Sequence, residues 1–123
     1  TGEEEALLEE LFGGLGLYMK LPFAQMGAAN AMSGCGPAFM AMVIEALGDG
    51  GVKHGLTRTQ AYTLAACGME GTAKLQLETG LHPGVLKDQV CSPGGVTIRG
   101  VAALEENGLR NALLKAIDAT FDI

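Results

Sequence analysis

The segment Thr57-Arg58-Thr59-Gln60 constrains the fold most strongly, because it has the form of a helix capping box. In such a box the cap hydroxyl and the side chain three residues later each accept a hydrogen bond from the other residue's backbone amide. The helical pattern that follows runs to about Glu78, and Gly80 offers the left-handed conformation that commonly ends a helix. A long helix therefore occupies the middle of this 123-residue chain.

Similar start and stop signals predict helices along the rest of the chain. Strand signals are nearly absent, and the short apolar stretch Leu15–Met19 would be a single strand without a partner. The sequence therefore predicts an all-α helical bundle. Its other helices are expected from Glu3 to about Phe12, in a short segment opened by Pro22, from the turn Ser33–Pro37 to about Lys53, from His82-Pro83 through Val90, and at about Val96–Glu106 and Leu109–Asp122.

Small residues dominate the apolar part of the composition: glycine accounts for 19 residues and aromatic residues for only 5%. Gly48, Gly50 and Gly51 lie inside the predicted long helix, where each costs about 1 kcal/mol relative to alanine. We interpret this cost as a sign that another helix approaches closely, and the same glycines are a candidate kink in the helix. The apolar stripe Met40, Val43, Ile44 and Leu47 is expected to pack in the core. A chain of this size also benefits from a partner subunit.

The net charge of −6 and a pI near 4.7 disfavour nucleic acids and anionic membrane surfaces as partners. The sequence contains no run of eighteen apolar residues, so no membrane span is predicted. The three cysteines form neither a CxxC pair nor an even set, which favours a reduced, cytoplasmic protein.

Most motifs that would carry chemistry fail on inspection. Gly34-Cys35-Gly36 begins like a dinucleotide fingerprint, but Phe39 stands where the third glycine belongs and no strand precedes it. His54 and His82 lack metal-binding spacing, so no metal site is predicted. Nothing places a histidine beside Cys35, Cys67 or Cys91, and a nucleophilic cysteine is therefore not expected.

The segment Ser92-Pro93-Gly94-Gly95-Val96-Thr97 remains a candidate for ligand binding. Its two glycines allow the backbone to pass close to a ligand, and the amides that open the next helix could hold a carboxylate or phosphate. The same segment could also be a structural turn that caps a helix, which is the commoner role of such turns, and the residues alone leave both interpretations open.

Several blocks of the sequence resemble the C-terminal dimerisation domain of pyrroline-5-carboxylate reductases. The blocks occur in the family's order and spacing over about residues 11–121. They are Ser33-Gly34-Cys35-Gly36-Pro37-Ala38-Phe39, Ile44 through Leu56, Ala73-Lys74 with Glu78-Thr79-Gly80, His82-Pro83-Gly84 with Leu86-Lys87-Asp88, and Val90 through Ile98 followed by Leu104-Glu105.

This resemblance implies that residues 1–21 are the end of an N-terminal Rossmann domain, with a helix and a strand, and that residues 22–123 form a helical dimerisation and substrate-loop domain. The parent enzyme would reduce 1-pyrroline-5-carboxylate to L-proline with NADPH or NADH, bound mainly by the upstream domain. The helical domain would interleave with a second copy to form a homodimer, on its own or within a larger ring, and would be inactive alone. The alternative is a stand-alone helical dimerisation module without catalytic activity.

The resemblance also implies roles for individual residues. Ser92, Gly94, Gly95, Val96 and Thr97 would bind the substrate: the Ser92 hydroxyl and the amides of Val96 and Thr97 would hold its carboxylate. Thr97 would be the catalytic residue, with its hydroxyl hydrogen-bonded to the ring nitrogen, and Gln89 would lie near the cofactor. Two positions depart from the family pattern: Cys35 replaces a usual serine and Asn30 a usual threonine, so local helix capping is expected to differ there.

Overall fold

A computed structural model describes residues 1–121, and within this range the chain is helical and contains no strand. The C-terminal end of the last predicted helix, Asp122, lies outside the described residues. The α-helices are α1 (Gly2–Phe12), α2 (Met26–Asn30), α3 (Gly36–Lys53), α4 (Arg58–Thr79), α5 (Pro83–Gln89), α6 (Val96–Glu106) and α7 (Leu109–Ala119).

The predicted limits of the central helix are confirmed. Thr57 Oγ1 accepts a hydrogen bond from the Gln60 amide at 3.3 Å, and Gln60 Oε1 accepts one from the Thr57 amide at 3.0 Å. Gly80 ends α4 with a left-handed backbone at φ 65°. Local sequence signals are therefore sufficient to set both ends of this helix.

Helices α3 and α4 form a hairpin whose close approach depends on two glycines. A Cβ atom at Gly48 would overlap the ring of Tyr62, and one at Gly51 would lie 3.0 Å from the Ala61 Cβ. The predicted close approach is thus confirmed at Gly48 and Gly51. It is wrong at Gly50, where a Cβ would meet nothing within 4 Å.

The start of the long helix differs from the prediction. Ser33–Pro37 does not form a turn, because residues Ala31–Cys35 adopt a π-helical segment that joins α2 to α3. The Gly36 amide bonds to the Ala31 carbonyl, five residues earlier. This wider turn changes the hydrogen-bond register just before Pro37, which has no amide to donate, so the helix continues.

The predicted strand at Leu15–Met19 is wrong for this chain. Residues Gly13–Leu15 form a short 3₁₀ turn, and residues 16–22 have no regular structure. A strand needs hydrogen-bonding partners along its edge, and residues 1–121 offer no second strand.

The chain exposes far more surface than a compact monomer would. Its accessible area is 9722 Å², compared with about 6,200 Å² expected for a folded protein of 12.7 kDa. Among the described residues the buried hydrophobic ones are Ala31, Ala61 and Leu86. The expectation that Met40 and Leu47 pack in the core is wrong, because both are exposed.

One helical run also has the length and composition of a membrane-crossing segment. It spans Phe23–Lys53; the most apolar 18-residue window within it has a mean hydropathy of 1.3, and only 11% of that window is buried. The prediction from uninterrupted apolar runs missed this segment because Glu45 and the glycines divide it. Its C-terminal part, α3, packs against α4 in the hairpin, and much of the apolar side of the run stays uncovered.

Candidate functional site

The candidate site is the loop that connects α5 to α6. Gly94 adopts the left-handed conformation at φ 69°, and the Gly95 amide donates to the Ser92 carbonyl at 3.1 Å. These two features define a tight turn over residues 92–95, and α6 begins at the next residue, Val96. Ser92, Gly94, Gly95, Val96 and Thr97 therefore lie together, as the sequence predicts for the substrate loop.

Because Gly95 has no side chain, the Ser92 hydroxyl has room to lie close to the Gly95 backbone. A Cβ atom at Gly95 would lie 2.5 Å from Ser92 Oγ and 3.2 Å from the Ser92 carbonyl oxygen. Any larger residue would push the hydroxyl away from the start of α6. The second glycine of the pair is thus required for space, while Gly94 is required for its positive φ.

The first turn of α6 presents backbone donors without a side-chain cap. Gly95 occupies the cap position, and no described side chain accepts a hydrogen bond from the opening amides of this helix. Val96 is 76% exposed, and Thr97 is also exposed. Free amides at the positive end of a helix form a site suited to a carboxylate or phosphate.

Helix α5 leads into this loop and carries the predicted cofactor residue. Gln89 is the last residue of α5 and is exposed, and its side chain makes no hydrogen bond to the loop within residues 1–121. Beside it, the Asp88 carboxylate accepts a hydrogen bond from Lys87 Nζ at 2.8 Å and raises the pKa of that ammonium. This pair is exposed, so Lys87 remains a charged surface group at neutral pH.

The histidines and cysteines form no second site in the described part of the chain. His82 Nδ1 accepts a hydrogen bond from the Gly84 amide at 2.9 Å and caps α5, and His54 follows the end of α3. No group of three metal-binding side chains occurs among the described residues. Cys35, Cys67 and Cys91 are free thiols and form no disulfide bond with one another.

Arg99 was not singled out by the sequence patterns, although its side chain contacts the loop. It lies in the first turns of α6, and its Nε donates to the Gly95 carbonyl at 3.4 Å. The spacing of four residues between Gly95 and Arg99 is the signal that could have identified it, because residues at this spacing share a helix face.

Comparison with known proteins identifies the family. The family model for pyrroline-5-carboxylate reductase dimerisation matches residues 24–123. The chain belongs to the pyrroline-5-carboxylate reductase dimerisation family. This match covers the α3–α4 hairpin, the loop between α5 and α6, and both C-terminal helices.

Individual relatives agree with the family assignment. A pyrroline-5-carboxylate reductase from Treponema pallidum is 57% identical over 96 residues, which are 78% of this chain and 36% of the relative. One from Methanosarcina acetivorans is 47% identical over 117 residues, covering 95% of this chain and 43% of the relative. The chain thus spans less than half the length of these two reductases.

Solved structures of the reductase family have the same fold. A pyrroline-5-carboxylate reductase from Coxiella burnetii superposes with a TM-score of 0.92 at 31% identity, over 99% of this chain and 46% of that one. A Plasmodium falciparum pyrroline carboxylate reductase with NADP bound superposes with a TM-score of 0.86 at 31% identity, over 98% of this chain and 48% of that one.

Membership of a dimerisation family accounts for the large exposed apolar surface. A dimerisation domain associates with itself, and the uncovered apolar side chains of the isolated protomer supply the surface for that association. The apolar character of Phe23–Lys53 has the same explanation.

Proposed function

We propose that this chain is the C-terminal part of an enzyme that reduces 1-pyrroline-5-carboxylate to L-proline with NADPH or NADH. The observation that carries this proposal is the family match over residues 24–123, together with 57% identity to the Treponema pallidum reductase. The chain contributes the self-association surface and the substrate loop. A stand-alone dimerisation module is the alternative.

The substrate carboxylate binds at the start of α6. The amides of Val96 and Thr97 lie in the first turn of that helix, where they have no side-chain acceptor within the described residues. The Ser92 hydroxyl, held beside Gly95, donates a third hydrogen bond. Charge-assisted hydrogen bonds of this kind fix both the position and the orientation of a small anion.

Thr97 acts on the reacting end of the substrate. Its hydroxyl hydrogen-bonds the ring nitrogen, where the electron pair of the C=N bond collects as the adjacent carbon is reduced. The carboxylate contacts and the Thr97 contact together define the orientation of the planar ring. The contribution of this loop is thus positioning and charge stabilisation rather than proton abstraction.

The nicotinamide cofactor supplies the hydride, and residues 1–121 by themselves do not fit it. The described residues contain no strand followed by a glycine-rich turn, which is the usual dinucleotide cradle. Gln89, which the resemblance to the reductase family places near the cofactor, is the residue of this chain that we assign to it; it is exposed and lies three positions before Ser92. The remaining contacts come from the upstream Rossmann domain, to which residues 1–21 belong; residues 22–123 form the helical domain.

Two further properties complete the proposal. The enzyme works as a homodimer or a larger ring, since each protomer leaves extensive apolar surface uncovered. Its location is cytoplasmic, and nucleic acids and membranes are not partners, in keeping with the net charge of −6.

The experiment that tests the proposal measures proline formation by the full-length parent protein and its Thr97→Ala and Thr97→Ser variants. We expect Thr97→Ala to lower kcat by about tenfold or more, and Thr97→Ser, which keeps the hydroxyl, to retain most of the activity. The dimer mass in light scattering should be unchanged in both. An inactive full-length protein would favour the stand-alone module, and a Thr97→Ala rate equal to the parent rate would remove Thr97 from the mechanism.

A further inference from the structure

The charge distribution of the chain leaves very few basic groups free. Within residues 1–121, six of the eight basic side chains lie within ion-pair distance of a carboxylate. The two that do not are Lys53 and Arg99. Lys53 is the last residue of α3, where a cation is favoured by the negative end of the helix.

Arg99 occupies the opposite electrostatic environment. It lies near the start of α6, where the helix dipole is positive and a cation is disfavoured. Its hydrogen bond to the Gly95 carbonyl at 3.4 Å is long, and it directs the side chain back toward the substrate loop. Free amides and an unpaired guanidinium therefore create positive charge at one place in an acidic chain.

We infer that Arg99 is a specificity-determining residue that selects an anionic substrate by pairing with its carboxylate. This inference rests on the proposed function, since it concerns the substrate of the same loop. The Nη groups are available for the carboxylate while Nε remains bonded to Gly95, because a guanidinium has five donors in a fixed plane. Arg99 would thus discriminate between a ring imine that carries a carboxylate and one that does not.

The test compares steady-state kinetics of the full-length parent enzyme with those of Arg99→Gln, Arg99→Lys and the control Lys53→Gln. Both glutamine variants remove one unpaired positive charge, but only Arg99→Gln removes it from the loop. We expect Arg99→Gln to raise the KM for 1-pyrroline-5-carboxylate about three- to tenfold with kcat changed less than twofold. Arg99→Lys should recover part of the affinity, and Lys53→Gln should behave like the parent.

A substrate without the carboxylate provides the decisive comparison. For 1-pyrroline, kcat/KM should be the same in the parent and in Arg99→Gln. High salt should reduce the difference between the two enzymes for the carboxylate substrate, because an exposed charge pair is screened.

Three results would overturn the inference: an unchanged KM in Arg99→Gln, an equal loss for both imines, or an increase confined to the KM for NAD(P)H. The last would assign Arg99 to cofactor phosphates instead. Each of these outcomes requires an active parent enzyme, so they are distinct from a failure of the proposed function, in which the parent itself would not form proline.

Discussion

Two glycines on α3 have very different surroundings although they are only two residues apart. Gly48 is buried against the ring of Tyr62, whose hydroxyl also accepts a hydrogen bond from Arg58 at 3.3 Å. Arg58 in turn pairs with Asp49 on α3, so one cluster joins both helices. Gly50 faces open space. The first glycine is required by packing, and the second lowers helix stability without a packing reason.

This contrast gives a matched pair of stability predictions. Gly48→Ala should lower the free energy of unfolding by about 1–3 kcal/mol, because its Cβ displaces the Tyr62 ring in a tightly packed hairpin. Gly50→Ala should raise it by about 0.5–1 kcal/mol through improved helix propensity. Chemical denaturation at one fixed protein concentration measures both. Equal effects of the two variants would contradict the packing argument.

The elements of the chain differ in how much of their structure is set locally. The ends of α4 depend on Thr57, Gln60 and Gly80, which act on neighbouring backbone groups. The positions of both helix ends could therefore be predicted from the sequence. The segment around Pro37 could not, because a breaker signal there is accommodated by a change of helical register. The prediction of a strand at Leu15–Met19 was wrong for another reason: a strand needs a partner strand, and residues 1–121 do not contain one.

The substrate loop shows the same division between local and non-local information. Its turn and the conformation of Gly94 follow from the sequence Ser92-Pro93-Gly94-Gly95, which could be predicted. The contact of Arg99 with Gly95 depends on helix geometry, and its sequence signal is the spacing of four residues between them. The role of Gln89 stays a prediction, since its side chain makes no hydrogen bond to the loop among the described residues.

The loop geometry leads to a prediction for the full-length enzyme. Gly95→Ala should raise the KM for the substrate about tenfold, because the new Cβ displaces the Ser92 hydroxyl from the start of α6. Gly100→Ala is the control, since a Cβ there meets nothing within 4 Å on the same helix. Steady-state kinetics measures the difference, with circular dichroism as a check of folding. Similar KM values for both variants would show that Ser92 does not need this space.

At the scale of the whole molecule, the exposed apolar surface is the dominant feature. Met42 is 67% exposed and lines an open groove on the α3–α4 hairpin with Ile44, Tyr62 and Ala66. Leu114 on α7 is 66% exposed. Surfaces of this kind are typical of subunit interfaces that are buried only on association.

Self-association can therefore be weakened at a single site. Met42→Glu should raise the dimer dissociation constant by about tenfold or more, because it places a charge in an apolar contact. Lys115→Gln is the control, since it makes the same change of one charge unit at an exposed, ion-paired position. Analytical ultracentrifugation over a concentration series measures both variants. A dimer unaffected by Met42→Glu would place the contact surface elsewhere.

The large accessible surface of the protomer also affects the thermodynamics of folding. The described core contains only three buried hydrophobic residues, so a substantial part of the hydrophobic free energy is gained when chains meet, in addition to what is gained when one chain folds. Folding and assembly then become a single equilibrium that obeys mass action. For such a molecule dilution favours the unfolded state, and the concentration of the protein becomes one of the determinants of its native structure.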